Sequence, residues 1–109
     1  MITIRIYRKD NQIVAFELSG HADSGPYGYD LVCAGVSAVS FGAVNAIHEL
    51  CEIDLEIRQA DEGGYLYVCI PSSIDDEAND KAQLLLESML ISLNTIERDY
   101  GEFIKMESQ

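Results

Sequence analysis

Apolar and polar residues alternate from the first residues of the chain. Ile2, Ile4 and Ile6 interleave with Thr3, Arg5 and Tyr7, a period of two that predicts a half-buried strand. Asp10-Asn11 supplies a turn, and Val14, Phe16 and Leu18 carry the alternation back, so the two runs read as a hairpin. The pattern then breaks into a glycine-studded stretch, Gly20 to Gly28, and resumes at Leu31 as a run of Ala, Gly, Ser and Val reaching about Leu50. This run predicts the first helix. Gly35 and Gly42 cost it about 1 kcal/mol each relative to Ala, and small residues of this kind predict close approach to a neighbouring element.

Ile53, Leu55 and Ile57 alternate with Asp54, Glu56 and Arg58 and predict a third strand. Asp61-Glu62-Gly63-Gly64 is a turn signal, after which Leu66, Val68 and Ile70 mark a fourth strand that Pro71 ends. Asp75-Asp76-Glu77 load the start of a second helix with acids, as the helix dipole favours. Ala82, Leu85, Leu86, Met89, Leu93 and Ile96 form its apolar stripe, at spacings of three and four. Phe103 to Met106 predicts an edge strand. The order β-β-α-β-β-α-β implies a two-layer α+β domain, with two helices on one face of a largely antiparallel sheet. Residues 1–109 read as a single domain.

Composition narrows the partners. The chain carries 48% hydrophobic and 24% charged residues, ordinary for a globular protein. No apolar stretch is read as a membrane span, and the N-terminus does not resemble a secretory leader, so the expected location is cytoplasmic. Three cysteines in a reducing compartment are expected to be free thiols. With 7 Lys and Arg and a net charge of −12, direct nucleic-acid binding, which depends on neutralising phosphates, is not expected. A basic protein or peptide is the better electrostatic match, although the acidity also serves solubility.

The chemistry concentrates between Gly20 and Ser37. Asp30 suits a helix N-cap, which makes Cys33 the third helical residue, near unpaired N–H groups and the positive end of the dipole. Thiols in such places ionise more readily than free cysteine, and a nearby imidazolium adds to the effect. Two histidines are available. His48 lies fifteen residues further along the same helix, about 22 Å away at 1.5 Å per residue. His21 lies in the glycine loop, close enough in sequence to fold back onto Cys33. A cysteine nucleophile with His21 as base is therefore the catalytic reading. Ser37 stands one turn beyond Cys33 on the same face, where it can bond the imidazole, a substrate group or its own backbone. Asp30 serves equally as cap or as orienter of His21. The glycines allow the loop to act as a lid, and N–H groups around Cys33 can form an oxyanion hole. Against all this, an isolated cysteine is usually a small core hydrophobe.

These residues form a signature. Gly20-His21-Ala22, Asp30, Val32-Cys33-Ala34 and Val36-Ser37 resemble, in identity and spacing, the motif of the ribosomal-processing cysteine protease family Prp (YsxB-like), and the resemblance spans the chain. It implies a cytoplasmic endopeptidase that needs no cofactor or metal. The implied activity removes a short N-terminal extension from large-subunit ribosomal protein twenty-seven, cutting after a hydrophobic, aromatic-containing sequence. It also implies Cys33 as nucleophile, His21 as general base, and Gly20, Asp30 and Ser37 as supporting positions. The implied partners are the basic ribosomal substrate and a second copy in a homodimer, with no nucleic acid and no membrane. Leu31 and Gly35 depart from the commonest motif residues, Ile and Ala, while keeping size and polarity. An aromatic substrate side chain would need an apolar pocket, for which Pro26, Tyr27 and Tyr29 are candidates.

Two rival readings stand beside it. One is a non-catalytic acidic module that docks on a basic ribosomal protein. The other is a metal site at His48-x-x-Cys51, joined by Cys69 or Cys33. No second close Cys/His pair supports the metal reading. Cys51 and Cys69 are more simply core thiols, and His48 a favourable charge near a helix C-terminus.

Overall fold

The computed structural model describes residues 1–20, 29–61 and 64–108, with the backbone alone at Tyr29 and Asp30. Strands β1 (Ile2–Lys9) and β2 (Gln12–Ser19) pair antiparallel, Lys9 opposite Gln12. Asp10 and Asn11 between them have φ of 53° and 68°. Two positive values are what a tight hairpin turn of matching twist demands, and Asp and Asn tolerate them. The register shifts between Tyr7 and Arg8. This bulge changes which residues of β2 face inward. Phe16 is buried as the alternation predicts, but Ile13, rather than Val14, is its buried companion.

Helix α1 (Tyr29–Cys51) follows, then β3 (Glu56–Gln59), β4 (Tyr65–Cys69), α2 (Asp76–Tyr100) and β5 (Ile104–Ser108). The five strands form one sheet in the order β3-β4-β2-β1-β5, antiparallel except where β5 runs parallel to β1. The two helices pack on each other and on one face of the sheet. Ile2, Ile4 and Ile6 point into that layer beside Phe16, Leu66, Val68 and Ile104, so the expected α+β architecture is the observed one.

Three expectations need correction. α1 begins at Tyr29, so Asp30 is its second residue rather than its cap, and Cys33 is the fifth rather than the third. β3 begins at Glu56 instead of Ile53. Ile53 is buried in the connection before the strand, whereas Ile57 is 46% exposed on the sheet edge. Finally, Leu31–Cys51 is long and apolar enough, by length and composition, to cross a membrane, contrary to the expectation of no such stretch. In this fold it is a core helix. Val32, Val36, Ser40, Val44, Ile47 and Cys51, spaced by three or four, bury one side of it.

The glycines of α1 do not share one explanation either. A Cβ on Gly35 would sit 3.6 Å from Ile96 Cδ1 of α2, whereas Gly42 faces open space. Gly35 thus faces α2 at a distance a methyl group would fill in ordinary contact, and packing requires a glycine at neither position. α2 matches its pattern: Asp75 caps it, accepting from Ala78 N–H at 2.7 Å, and Ala82, Leu86, Met89 and Leu93 are its buried residues.

Candidate active site

Cys33 and Ser37 project from one face of α1 into a cavity of about 570 Å³. That volume suits a substrate side chain and its neighbours. Val36 and Phe41 complete the helical wall. Ile2, Leu18 and Leu66 supply an apolar floor from the sheet, and Gln59, Ala60, Asp61, Gly64 and Tyr65 supply the wall built by the β3–β4 connection. Cys33 is partly buried and free, Ser37 is exposed, and the two stand one turn apart. Although Cys33 is five residues into the helix, a helical Cα–Cβ bond tilts toward the N-terminus. The side chain is thereby tilted back toward the helix start, from two positions further into the helix than expected.

Gly20 closes the sheet side of the cavity. Its φ is +126°, and a Cβ there would collide with the Met1 carbonyl oxygen. Only glycine fits such a backbone without strain. Its N–H donates to Gly64 O at 3.0 Å, tying the end of β2 to the start of β4. The backbone thus requires glycine at this place, directly after β2 and on the lining of the cavity.

Leu18 and Leu66 are register partners facing the helices, so Glu17 and Tyr65 face the opposite side of the sheet. There the Tyr65 hydroxyl donates to Glu17 Oε2 at 2.7 Å, and Arg5 Nη1 donates to Glu17 Oε1 at 3.1 Å. These donors, Tyr65 foremost, hold the Glu17 carboxyl below its ordinary range, while the carboxylate pushes the Tyr65 hydroxyl up. The network anchors the start of β4, and with it one wall of the cavity.

His21 lies outside the described residues, as do Pro26 and Tyr27, two of the candidates for the apolar pocket; Tyr29 and Asp30 are placed by backbone only. His48 is at the far end of an unbroken α1, 65% exposed at its side chain, with Nδ1 3.3 Å from Asp54 Oδ1. The unbroken helix keeps His48 from Cys33. Cys51 is buried in the core beneath α1, and no group of three His, Cys, Asp or Glu side chains among the described residues is placed to hold a metal ion.

Sequence reasoning overlooked Phe41 and the β3–β4 connection. Phe41 continues the spacing of Cys33 and Ser37 by four more residues, so helical periodicity carried the signal. Asp61 and Gln59 carried none, since sheet pairing alone brings them to the cavity.

Comparison with known proteins agrees with this geometry. The family model described as cysteine protease Prp matches residues 1–105. The ribosomal processing cysteine protease Prp of Bacillus subtilis is 49% identical over 107 residues, covering 97% of this chain and 96% of its own. Among solved structures, the Prp ribosomal processing protease of S. aureus in complex with a substrate peptide superposes with a TM-score of 0.87 at 43% identity, covering 100% of both chains. The same S. aureus protease with a covalently linked product peptide gives a TM-score of 0.85, with the same identity and coverage.

Proposed function

The chain belongs to the cysteine protease Prp family, and from that premise we propose that it removes the N-terminal extension of large-subunit ribosomal protein twenty-seven with a Cys33–His21 pair. The observation that carries the reading is the placement of Cys33 and Ser37 on the wall of a cavity whose other side is Gly20. His21 is the next residue after Gly20, one virtual bond of about 3.8 Å along the chain.

The chemistry is acyl transfer. Cys33 Sγ, as thiolate, adds to the scissile carbonyl carbon, and the oxyanion gathers N–H donors near the helix start. As the C–N bond breaks, His21 delivers a proton to the leaving amine. Water then adds to the thioester with His21 taking its proton, and the thiolate is released with the new carboxyl terminus. Ser37, one turn from the sulfur, and Asp30, in the first turn of α1, support the pair. Residues 1–109 act as one protease domain in the cytoplasm. The net charge of −12 favours encounter with a basic ribosomal protein.

A homodimer completes the reading. Its support is the outer face of α1, where Leu31, Ala34, Ala38, Phe41 and Gly42 are exposed and uncharged on a strongly acidic chain. Sedimentation that finds only monomer at micromolar concentration removes this part. The test of the activity is incubation with the extended ribosomal protein, followed by mass spectrometry. One new N-terminus, lost in Cys33→Ser, is the expected result. Binding without cleavage by the unaltered protein would instead mark an acidic docking module.

A further inference from the structure

The described walls of the cavity are apolar or neutral with one exception. Leu18, Leu66, Val36 and Phe41 offer hydrocarbon, and among these described walls Asp61 is the carboxylate, the other ionisable groups being the Cys33 thiol and the Tyr65 hydroxyl. Asp61 stands in the connection after β3, where Ala60 N–H donates to Tyr65 O at 3.3 Å and holds the turn. It is exposed and forms no ion pair with any described residue. The nearest cation in sequence, Arg58, is engaged elsewhere, with its guanidinium 5.8 Å from the centre of the Tyr67 ring. A carboxylate among described walls that carry no other charge attracts a cation at one place and repels an anion there.

We propose that Asp61 is a specificity-determining residue that reads a Lys or Arg side chain of the peptide close to the bond being cut. The proposal rests on the endopeptidase reading above and adds a charge requirement to its apolar one. The bound peptide places an apolar side chain on the Leu18–Leu66 floor and a cationic one against the β3–β4 connection. The overall acidity of the chain speeds the approach of any basic peptide. Asp61 acts differently, because it discriminates at one position of the peptide and not at others.

The test uses peptides spanning the cleavage site, in which each of the two residues on either side of the bond is in turn Lys, Gln or Glu. Cleavage is read as kcat/KM in the unaltered protein and in Asp61→Asn, Asp61→Lys and Asp99→Asn. Binding is read as Kd in the same variants carrying Cys33→Ser. Asp99 is an exposed carboxylate outside the cavity walls, so it controls for the loss of one charge. At one position the unaltered protein should favour Lys over Glu by about tenfold, attraction and repulsion each contributing a few-fold. Asp61→Asn should bring that ratio within about twofold, Asp61→Lys should invert it, and Asp99→Asn should preserve it. An undiminished ratio in Asp61→Asn overturns the proposal, as does an equal loss in Asp99→Asn. If no peptide is cut, the endopeptidase reading fails by itself, and the Kd ratios still decide the role of Asp61.

Discussion

The two helices of this protein obey different rules. α2 carries Asp76, Glu77, Asp80, Lys81, Glu87, Glu97, Arg98 and Asp99 around a stripe of Ala82, Leu86, Met89 and Leu93. Its stripe faces the core and its charges face water, with Leu84 and Ile91 exposed among them at 73% and 68%. α1 has no charged residue between Asp30 and His48. It buries Val32, Val36, Val44 and Ile47, yet leaves Leu31 at 64% and Phe41 at 40% exposure. Stability does not call for an uncharged outer face. On α1 that face borders the cavity, carrying Cys33, Ser37 and Phe41 to it. The back of α2 is charged, while that of α1 carries no charge between Leu31 and Ile47.

The largest expected separation between the helices is in activity. Cys33→Ala should lower turnover by roughly a thousandfold or more, as loss of a covalent nucleophile does. Its effect on folding should be about 1 kcal/mol or less, because the thiol is only partly buried. Leu93→Ala in α2 should do the reverse. Leu93 is 0% exposed, and emptying such a site costs about 2–5 kcal/mol. Urea denaturation should show a lower midpoint, while kcat/KM of the folded fraction stays within about twofold, because Leu93 does not line the cavity. A variant of α2 that lost turnover while keeping its stability would erase the distinction.

The same contrast explains what could be read from the residues. α2 was legible because its stripe and its acidic start repeat one message, and the β1–β2 hairpin because Asp10-Asn11 leave few alternatives. Cys33 and Ser37 were legible through helical spacing. β3 was misplaced because Ile53, Leu55 and Ile57 alternate like a strand, although Ile53 serves the core from the preceding connection. The bulge that buries Ile13 is a property of pairing with β1, not of β2 alone. Asp61 reaches the cavity only because β4 pairs with β2 and Gly64 O accepts from Gly20 N–H. Periodicity reports one element at a time, so a wall assembled from distant strands is beyond it.

A smaller effect, of opposite sign, is expected inside α1. Ser40 is fully buried, and its hydroxyl finds no partner among the described residues. An unmade hydrogen bond in the interior costs about 1–3 kcal/mol. Ser40→Ala should therefore stabilise the protein by up to about 1 kcal/mol, after the small loss of packed volume. A higher thermal midpoint with unchanged kcat/KM would show that α1 is not tuned for stability. A fall in activity would mean that the hydroxyl serves the catalytic face.

The smallest effect sharpens the contrast at the surface of α2. Glu87 accepts from Arg8 of β1 through two bonds, Nη1 to Oε2 at 2.7 Å and Nη2 to Oε1 at 2.8 Å. These hydrogen bonds, more than the charge of Arg8, hold the Glu87 carboxyl below its ordinary range, against a smaller opposing effect of burial. A carboxyl lowered by folding stabilises the native state above its unfolded value, near 4.3, and ceases to do so as pH falls through the lower folded value. The side chains are 30% and 41% exposed, so solvent screening keeps the contribution below about 1 kcal/mol. Glu87→Gln should lower the urea midpoint slightly at pH 7, and the two proteins should converge as the pH falls below about 4.3 and on through the lower folded value of Glu87. A gap that persists at the acid end would mean that the carboxylate charge is not its source, since glutamine and protonated glutamate are both neutral and alike in size. Convergence would place the contribution of α2's polar side in its ion pair. That would leave α1, uncharged from Leu31 to Ile47, as the helix that draws nothing from ion pairs along that stretch.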